Sequence, residues 1–223
     1  MRKGFTLIEL SIVFLIIGFL VAALSVGNEL VRTATMQSII SDLREFESYS
    51  KEFRTKYYYW PGDMPNASSF WSIDATTAGE HDGNGDHDVD DVIGSVPSTY
   101  EGEAFWQHLY KAGFFETVYS GIATATHTNS PLAPIDSSRY ITNDADKVVD
   151  AKLHITLSTG NASAYESMTT QQAFFIDNKM DNGEATTGII LGGEDVGDCY
   201  TGIAYNVDDD SPDQCWITFI IEE

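Results

Sequence analysis

The sequence predicts an α+β fold: a long N-terminal helix with an apolar first half, packed on a C-terminal antiparallel sheet. Three observations carry this. Residues 5–26 form an almost unbroken apolar run behind Arg2 and Lys3. From Met36 to Tyr57, apolar residues recur at threes, fours and sevens, the period of one helix face. The C-terminal part is a series of short apolar segments separated by acidic or glycine turns, which is how antiparallel strands read.

The chain has 223 residues, enough for one sizeable domain plus an anchor. Its 34 acids and 12 bases give a formal charge of −22. A surface this anionic argues against direct nucleic-acid binding, because phosphate contacts need Lys and Arg to displace counterions. The same surface attracts cations. The apolar content of 43% is too high for a disordered acidic chain. Cys199 and Cys215 are the two cysteines. Their closeness in an acidic, Gly- and Asp-rich region reads as one disulfide made in an oxidising compartment; the competing reading is two reduced, buried thiols.

The apolar run from Phe5 to Val26 is about as long as a membrane-spanning helix, which takes roughly 20 residues. Arg2 and Lys3 keep its N-terminal end cytoplasmic, so the bulk of the chain lies outside. A cleaved signal peptide would need a shorter apolar run and a small-residue cleavage site. Neither that reading nor a permanent single-span anchor accounts for Glu9. An acid in apolar surroundings costs free energy unless it has a partner.

Gly4, Phe5, Thr6, Leu7, Ile8, Glu9 and Leu10, read as GFTLIEL, resemble the processing site of type IV prepilins and of type II secretion pseudopilins. The resemblance implies a pilin-like fold, cleavage after Gly4 by a prepilin peptidase, and methylation of the new Phe5 amine. Residues 1–4 would be the leader peptide. Glu9 would then sit at the N-terminal end of a helix, where the dipole favours negative charge. The family pairs this acid with the Phe amine of a neighbouring subunit during assembly. Two charges that are costly alone in hydrocarbon become tolerable together, and the pairing sets registry. The partners implied are further copies of the chain in a helical filament and an inner-membrane assembly platform. The location implied is the bacterial inner membrane before assembly, then an extracellular or periplasmic filament. Many pilins carry a proline about twenty residues into this helix. Here only Gly18 and Gly27 weaken it, each by about 1 kcal/mol relative to Ala.

Residues 5–26 are thus expected as a transmembrane or filament-core helix, 27–58 as its amphipathic continuation, and 59–223 as a globular head. Met36, Ile39, Ile40, Leu43, Phe46, Phe53 and Tyr57 make the apolar face of the continuation. Glu47 with Lys51 and Glu52 with Lys56 are favourable four-residue pairs. The rod from Phe5 to about Tyr58 would be roughly 80 Å long.

Pro61-Gly62 and Pro65 end the rod, and Ser68 restarts a short helix. Pro61 to Ala67, Asp82 to Asp88, Trp106 to Leu109, Ala112-Gly113, and the set Ile176, Asp177, Lys179, Asp181 and Gly183 resemble short blocks of a bacterial subgroup of prepilin-like proteins. A helix is expected over 103–115, with Phe105, Trp106, Leu109 and Tyr110 buried and Gly113 near its end. Strands are expected over 152–159, 173–177, 187–192, 202–207 and 215–222. Leu153, Ile155 and Leu157 should share one face. Residues 121–150 show little periodicity and are expected as a surface excursion. Trp216 and Phe219 are expected in the core.

HDGNGDHDVDDV, residues 81–92, places Asp82, Asn84, Asp86, Asp88 and Asp90 at alternate positions. Oxygen ligands at this spacing around glycine resemble a calcium loop, and a structural Ca²⁺ is the expected cofactor. The template is incomplete, with His87 where Gly is usual and Ile93 where a closing Glu is expected. Asp91, Glu101 or Glu103 could close the site. His81 and His87 alone make a poor zinc set. A second candidate is Asp177 and Asp181, with Asn178 and a turn at Gly183. A third is Asp195, Asp198, Asp208, Asp209, Asp210 and Asp213 around the cysteines.

Nucleophile-elbow, zinc-protease, phosphate-loop and dinucleotide motifs are absent from the sequence, so no enzyme is expected. His108 reads as a packing or hydrogen-bonding residue. The leading functional expectation is a structural subunit of a type IV pilus or related filament. A pseudopilin or minor pilin of a type II secretion system, and a membrane-tethered calcium-dependent binding module, are the alternatives.

Overall fold

A computed structural model describes residues 6–71, 82–89, 101–121, 129–135, 138–142, 152–159, 167–193, 199–208 and 215–222. Helix α1 runs from Leu7 to Tyr57, 51 residues without a break. At 1.5 Å per residue it is about 75 Å long. It starts on a capping box: the Thr6 side chain accepts from the Glu9 amide while the Glu9 carboxylate accepts from the Thr6 amide. It ends where Tyr58 turns left-handed at φ 69° and donates to the Arg54 carbonyl. Pro61 follows two residues after Tyr59.

The helix divides as its sequence does. Every residue from Thr6 to Val26 is exposed. Further along, Met36, Ile39, Leu43, Phe46, Ser50 and Phe53 are buried, and Ile40 and Tyr57 pack at the edge of the same core. Phe46 is central: its ring lies 5.1 Å from Trp106 and 4.9 Å from Tyr140, both edge-on. On the outer face Lys51 pairs with Glu47 at 2.6 Å. Lys56 instead sits over the ring of its neighbour Tyr57.

Helix α2 is the short turn Ala67–Phe70, and α3 spans Glu101–Lys111. The end of α3 follows the expectation at Gly113. The Gly113 amide donates to Tyr110 and the Phe114 amide to Leu109, with Gly113 at φ 90°, the left-handed cap that glycine adopts without strain.

Four strands form one antiparallel sheet in the order β1-β2-β6-β3: β1 Arg139–Thr142, β2 Leu153–Ser158, β3 Ile190–Gly193 and β6 Trp216–Glu222. Phe219 on β6 faces Ile155 on one side and Ile190 on the other, and all three are buried. Leu153, Ile155 and Leu157 join the main core as expected. The opposite face of β2 is also buried, and there Thr156 and Thr218 share a hydrogen bond of 2.9 Å. Strands β4, Tyr200–Thr201, and β5, Ala204–Tyr205, form a separate hairpin.

Two expectations are corrected. Residues 173–177 are helical, inside α4, Thr170–Met180. A second capping box, Thr169 with Gln172, starts this helix, and Ala173, Ile176 and Met180 bury one side of it. The short apolar run Ala173–Ile176 resembles a strand only when those flanking residues are ignored. Residues 121–150 are not merely a surface excursion: 139–142 form β1, and Tyr140 and Ile141 are 1% and 2% exposed. Four residues are too few to show a period. Helices α1 and α4 pack together, and Arg32 on α1 donates to Thr169 at 2.7 Å.

Candidate functional site

The N-terminal end of α1 is built around Glu9. Its Oε2 accepts from the Thr6 amide at 2.7 Å and from the Thr6 hydroxyl at 2.8 Å. The acid therefore has two donors inside its own chain, one turn away. In the sequence Thr6 stands out only as part of GFTLIEL; its role as partner of Glu9 was not expected, although the Thr-x-x-Glu spacing marks a capping box. Gly4 and Phe5, the expected processing residues, lie outside the described residues.

The acidic loop is organised differently from its two-residue spacing. Asp82 turns to α2, where its carboxylate accepts from the Ser68 amide at 2.7 Å and hydroxyl at 2.6 Å. It serves a free amide of that helix, whose own Asn66 side chain makes no capping bond. Asn84 and Asp86 bond each other twice, and the Asp88 amide donates to Asp86. Asp90 lies outside the described residues. Of the five spaced residues, Asp86 joins a converging group, and its companions come from elsewhere. One carboxylate oxygen each of Asp63, Asp86 and Glu101 lies within 4.8 Å of the others. Asp63 comes from the turn after α1, and Glu101 opens α3.

The loop is held on these two acids by its backbone. Asp63 accepts from the Gly85 amide at 2.7 Å and the His87 amide at 3.2 Å, and Glu101 accepts from the Asn84 amide at 2.6 Å. Gly83 packs against the Asp63 backbone so closely that a Cβ would collide with it. His87 takes φ 73° and stacks on Tyr59 with ring centroids 5.6 Å apart. Asp63 is fully buried, and that burial, reinforced by the charge of Asp86, pushes its carboxyl up to about 6 despite the two amides. Three carboxylates drawn together repel one another unless protonated or bridged by a cation. Their all-oxygen donor set suits a hard cation such as Ca²⁺ rather than zinc. Glu101 is one of the three acids that the sequence offers to close the site. Asp63 is 18 residues before the loop begins at His81, and spacing alone does not reveal it.

Asp177 and Asp181 stand near each other on α4 and its end, but each serves the chain. Asp177 is buried, with Oδ1 accepting from the Gly183 amide at 2.8 Å and Oδ2 from the Tyr205 hydroxyl at 2.9 Å. Burial raises it to about 6, and burial, reinforced by the Asp177 charge, raises the Tyr205 phenol above its usual range. Asp181 accepts from the Ile189 and Ile190 amides and fixes the approach to β3. Among the described residues neither belongs to a converging group of three ligands. Of the third candidate set, Asp208 is described and exposed; the others lie outside the described residues. Cys199 and Cys215 form a disulfide that ties the β4–β5 hairpin to the start of β6. His108 is buried, with Nδ1 accepting from the Gly62 amide at 2.8 Å and its ring stacked on Phe53.

Among known families, residues 1–25 match the prokaryotic N-terminal methylation motif. No curated protein matches the chain, and no solved structure does. The matched residues run into the exposed, apolar half of a 51-residue helix, long and apolar enough to cross a membrane. That helix leads to a head with an antiparallel sheet, the α+β architecture of pilins. The chain carries the type IV prepilin-type cleavage and methylation segment at residues 1–25, ahead of a pilin-like α+β head.

Proposed function

We propose that this chain is a structural subunit of a type IV pilus or related extracellular filament. It is cleaved after Gly4, methylated at Phe5, and assembled from the inner membrane through its N-terminal helix. The observation that carries the reading is the exposed, apolar surface of Thr6 to Val26, broken by the single acid Glu9 beside the cleavage point. Such a surface is suited first to lipid and then to other copies of itself. Mass spectrometry of the membrane-extracted protein tests it. The expected product lacks residues 1–4 and carries a methylated Phe5. Glu9→Ala is expected to be processed but to assemble poorly. An intact N-terminus in working polymers, or normal filaments from the variant, would sink the reading. Short periplasmic polymers in place of surface filaments would point instead to a pseudopilin.

We further propose a structural Ca²⁺ held by Asp63, Asp86 and Glu101, with Asn84, Asp88 and Asp90 as the loop's remaining oxygen donors. The donor chemistry supports this: two of the three carboxylates are buried and all are drawn to one point. A ligand that binds only the folded chain stabilises it by about 3 kcal/mol at a hundred times its Kd. Chelation should therefore lower Tm, and Glu101→Gln should abolish the difference between chelated and calcium-loaded protein. Equal Tm values with and without chelator in the unmodified chain would leave the loop without an ion.

A further inference from the structure

The charge of this chain is divided as sharply as its hydropathy. Beyond Tyr58 lie 28 of its 34 acids and 5 of its 12 bases, a formal charge of −23. The first 58 residues hold the other six acids and seven bases. Without residues 1–4, that stem keeps five bases, a new amino terminus and six acids, and is neutral. The stem can therefore pack against other stems without electrostatic cost, while the head cannot approach another head without it.

We propose that polymerisation of this chain is gated by mobile cations, which must screen head against head before the apolar stems can stay together. This rests on the filament reading above. Packed helices lie about 8–10 Å apart. A folded head of roughly 165 residues has a radius of gyration of about 15 Å. Stems close enough to touch thus bring the surfaces of neighbouring heads to within a few ångströms. At about 0.15 M salt the screening length is about 8 Å, and heads interact only where they meet. At about 0.01 M it is about 30 Å, and the whole of one head feels the whole of the next. Exposed acids sit on three different segments of the head: Asp86 on the acidic loop, Glu116 after α3 and Asp208 after β5. One Ca²⁺ per subunit changes −23 to −21, so filling the acidic loop does not remove the effect. Attraction between stems is short-ranged and insensitive to salt, whereas repulsion between heads is long-ranged and depends on it steeply. The balance of the two is set by the cations around the filament.

The experiment uses filaments of the full, processed chain, sheared from cells and pelleted after equilibration in defined salt. On moving from 150 mM to 10 mM NaCl, the concentration of unpolymerised subunit is expected to rise about tenfold or more. Addition of 5 mM MgCl₂ at low NaCl should restore the pellet. At 150 mM NaCl with chelator the pellet should persist, because screening does not require calcium. A double substitution Glu116→Lys and Asp208→Lys, which replaces two negative charges per head with two positive ones, should shift dissociation to lower salt. Equal pellets at 10 and 150 mM NaCl would overturn the proposal while leaving the filament reading intact. So would a pellet lost to chelator at 150 mM NaCl. Processed protein that forms no polymer at any salt would overturn the filament reading and this proposal with it.

Discussion

Glu9 and Asp177 are both acids where charge is disfavoured, and each has its answer close at hand. Glu9 lies on an apolar helix, and Thr6 supplies it with an amide and a hydroxyl. On the filament proposal, a subunit has internal donors for this carboxylate before any neighbour's amine arrives, and assembly would exchange one set of partners for another. Asp177 is enclosed in the head, and the Gly183 amide and Tyr205 hydroxyl take its two oxygens. They do not offset its desolvation, and its carboxyl is raised to about 6. The sign follows. The folded chain holds this proton more tightly than the unfolded chain, whose carboxyl titrates near 4. The stabilisation is full below about pH 4 and is lost as pH rises through about 6. Asp177→Asn keeps an acceptor for Gly183 and carries no charge. Measured in chelator, it should equal the unmodified chain in Tm at pH 4 and exceed it at pH 7.5. The gain should be about 1–2 kcal/mol, after discounting a two-unit shift for screening by nearby water. A variant less stable than the unmodified chain at both pH values would mean that the ionised carboxylate itself is needed.

At the scale of elements, legibility follows length. Helix α1 repeats its apolar face over many turns, so Met36 to Tyr57 could be read with the correct face inward. The four residues of β1 and the two-residue strands of the hairpin offer too little sequence for a period to appear. Helix α4 differs from the strand expectation for another reason: Phe174 and Phe175 are attractive strand residues, whereas the Thr169–Gln172 capping box marks the start of a helix. Phe174 proves to be 38% exposed, so it never was a core position. Thr169 has a second duty, since its hydroxyl also accepts from Arg32 and links the start of α4 to the stem. Thr169→Ala should cost about 1–2 kcal/mol, more than a typical isolated cap, because one change removes both bonds. Urea denaturation of the full chain in detergent would check this, and Arg32→Ala should account for part of the loss. The disulfide was legible from composition alone; what it fastens, a hairpin outside the main sheet, was not.

At the scale of the whole molecule, the division of labour was written in the sequence, while the acidic site was only half written. The spacing of residues 82–90 announced the loop, but the carboxylates that converge with Asp86 are Asp63 and Glu101, brought to it by the folding of α1 and α3 around a common core. A pattern confined to one segment cannot name ligands that arrive from two others. The division itself makes a direct claim about folding. The first buried residue of α1 is Met36, and nothing from Thr6 to Val26 touches the head. The apolar half of the rod is therefore expected to contribute little to head stability. A chain lacking residues 1–26 retains Arg32, the buried stripe from Met36 to Phe53 and every strand. It should leave the membrane fraction and remain monomeric. Its Tm should lie within about 2 °C of the full chain's value in mild detergent, a difference of roughly 0.5 kcal/mol for a domain of this size. A fall of more than about 4 °C, or loss of near-ultraviolet circular dichroism, would show that the head draws stability from the membrane-spanning half. In that case the two halves would have to be treated as one folding unit.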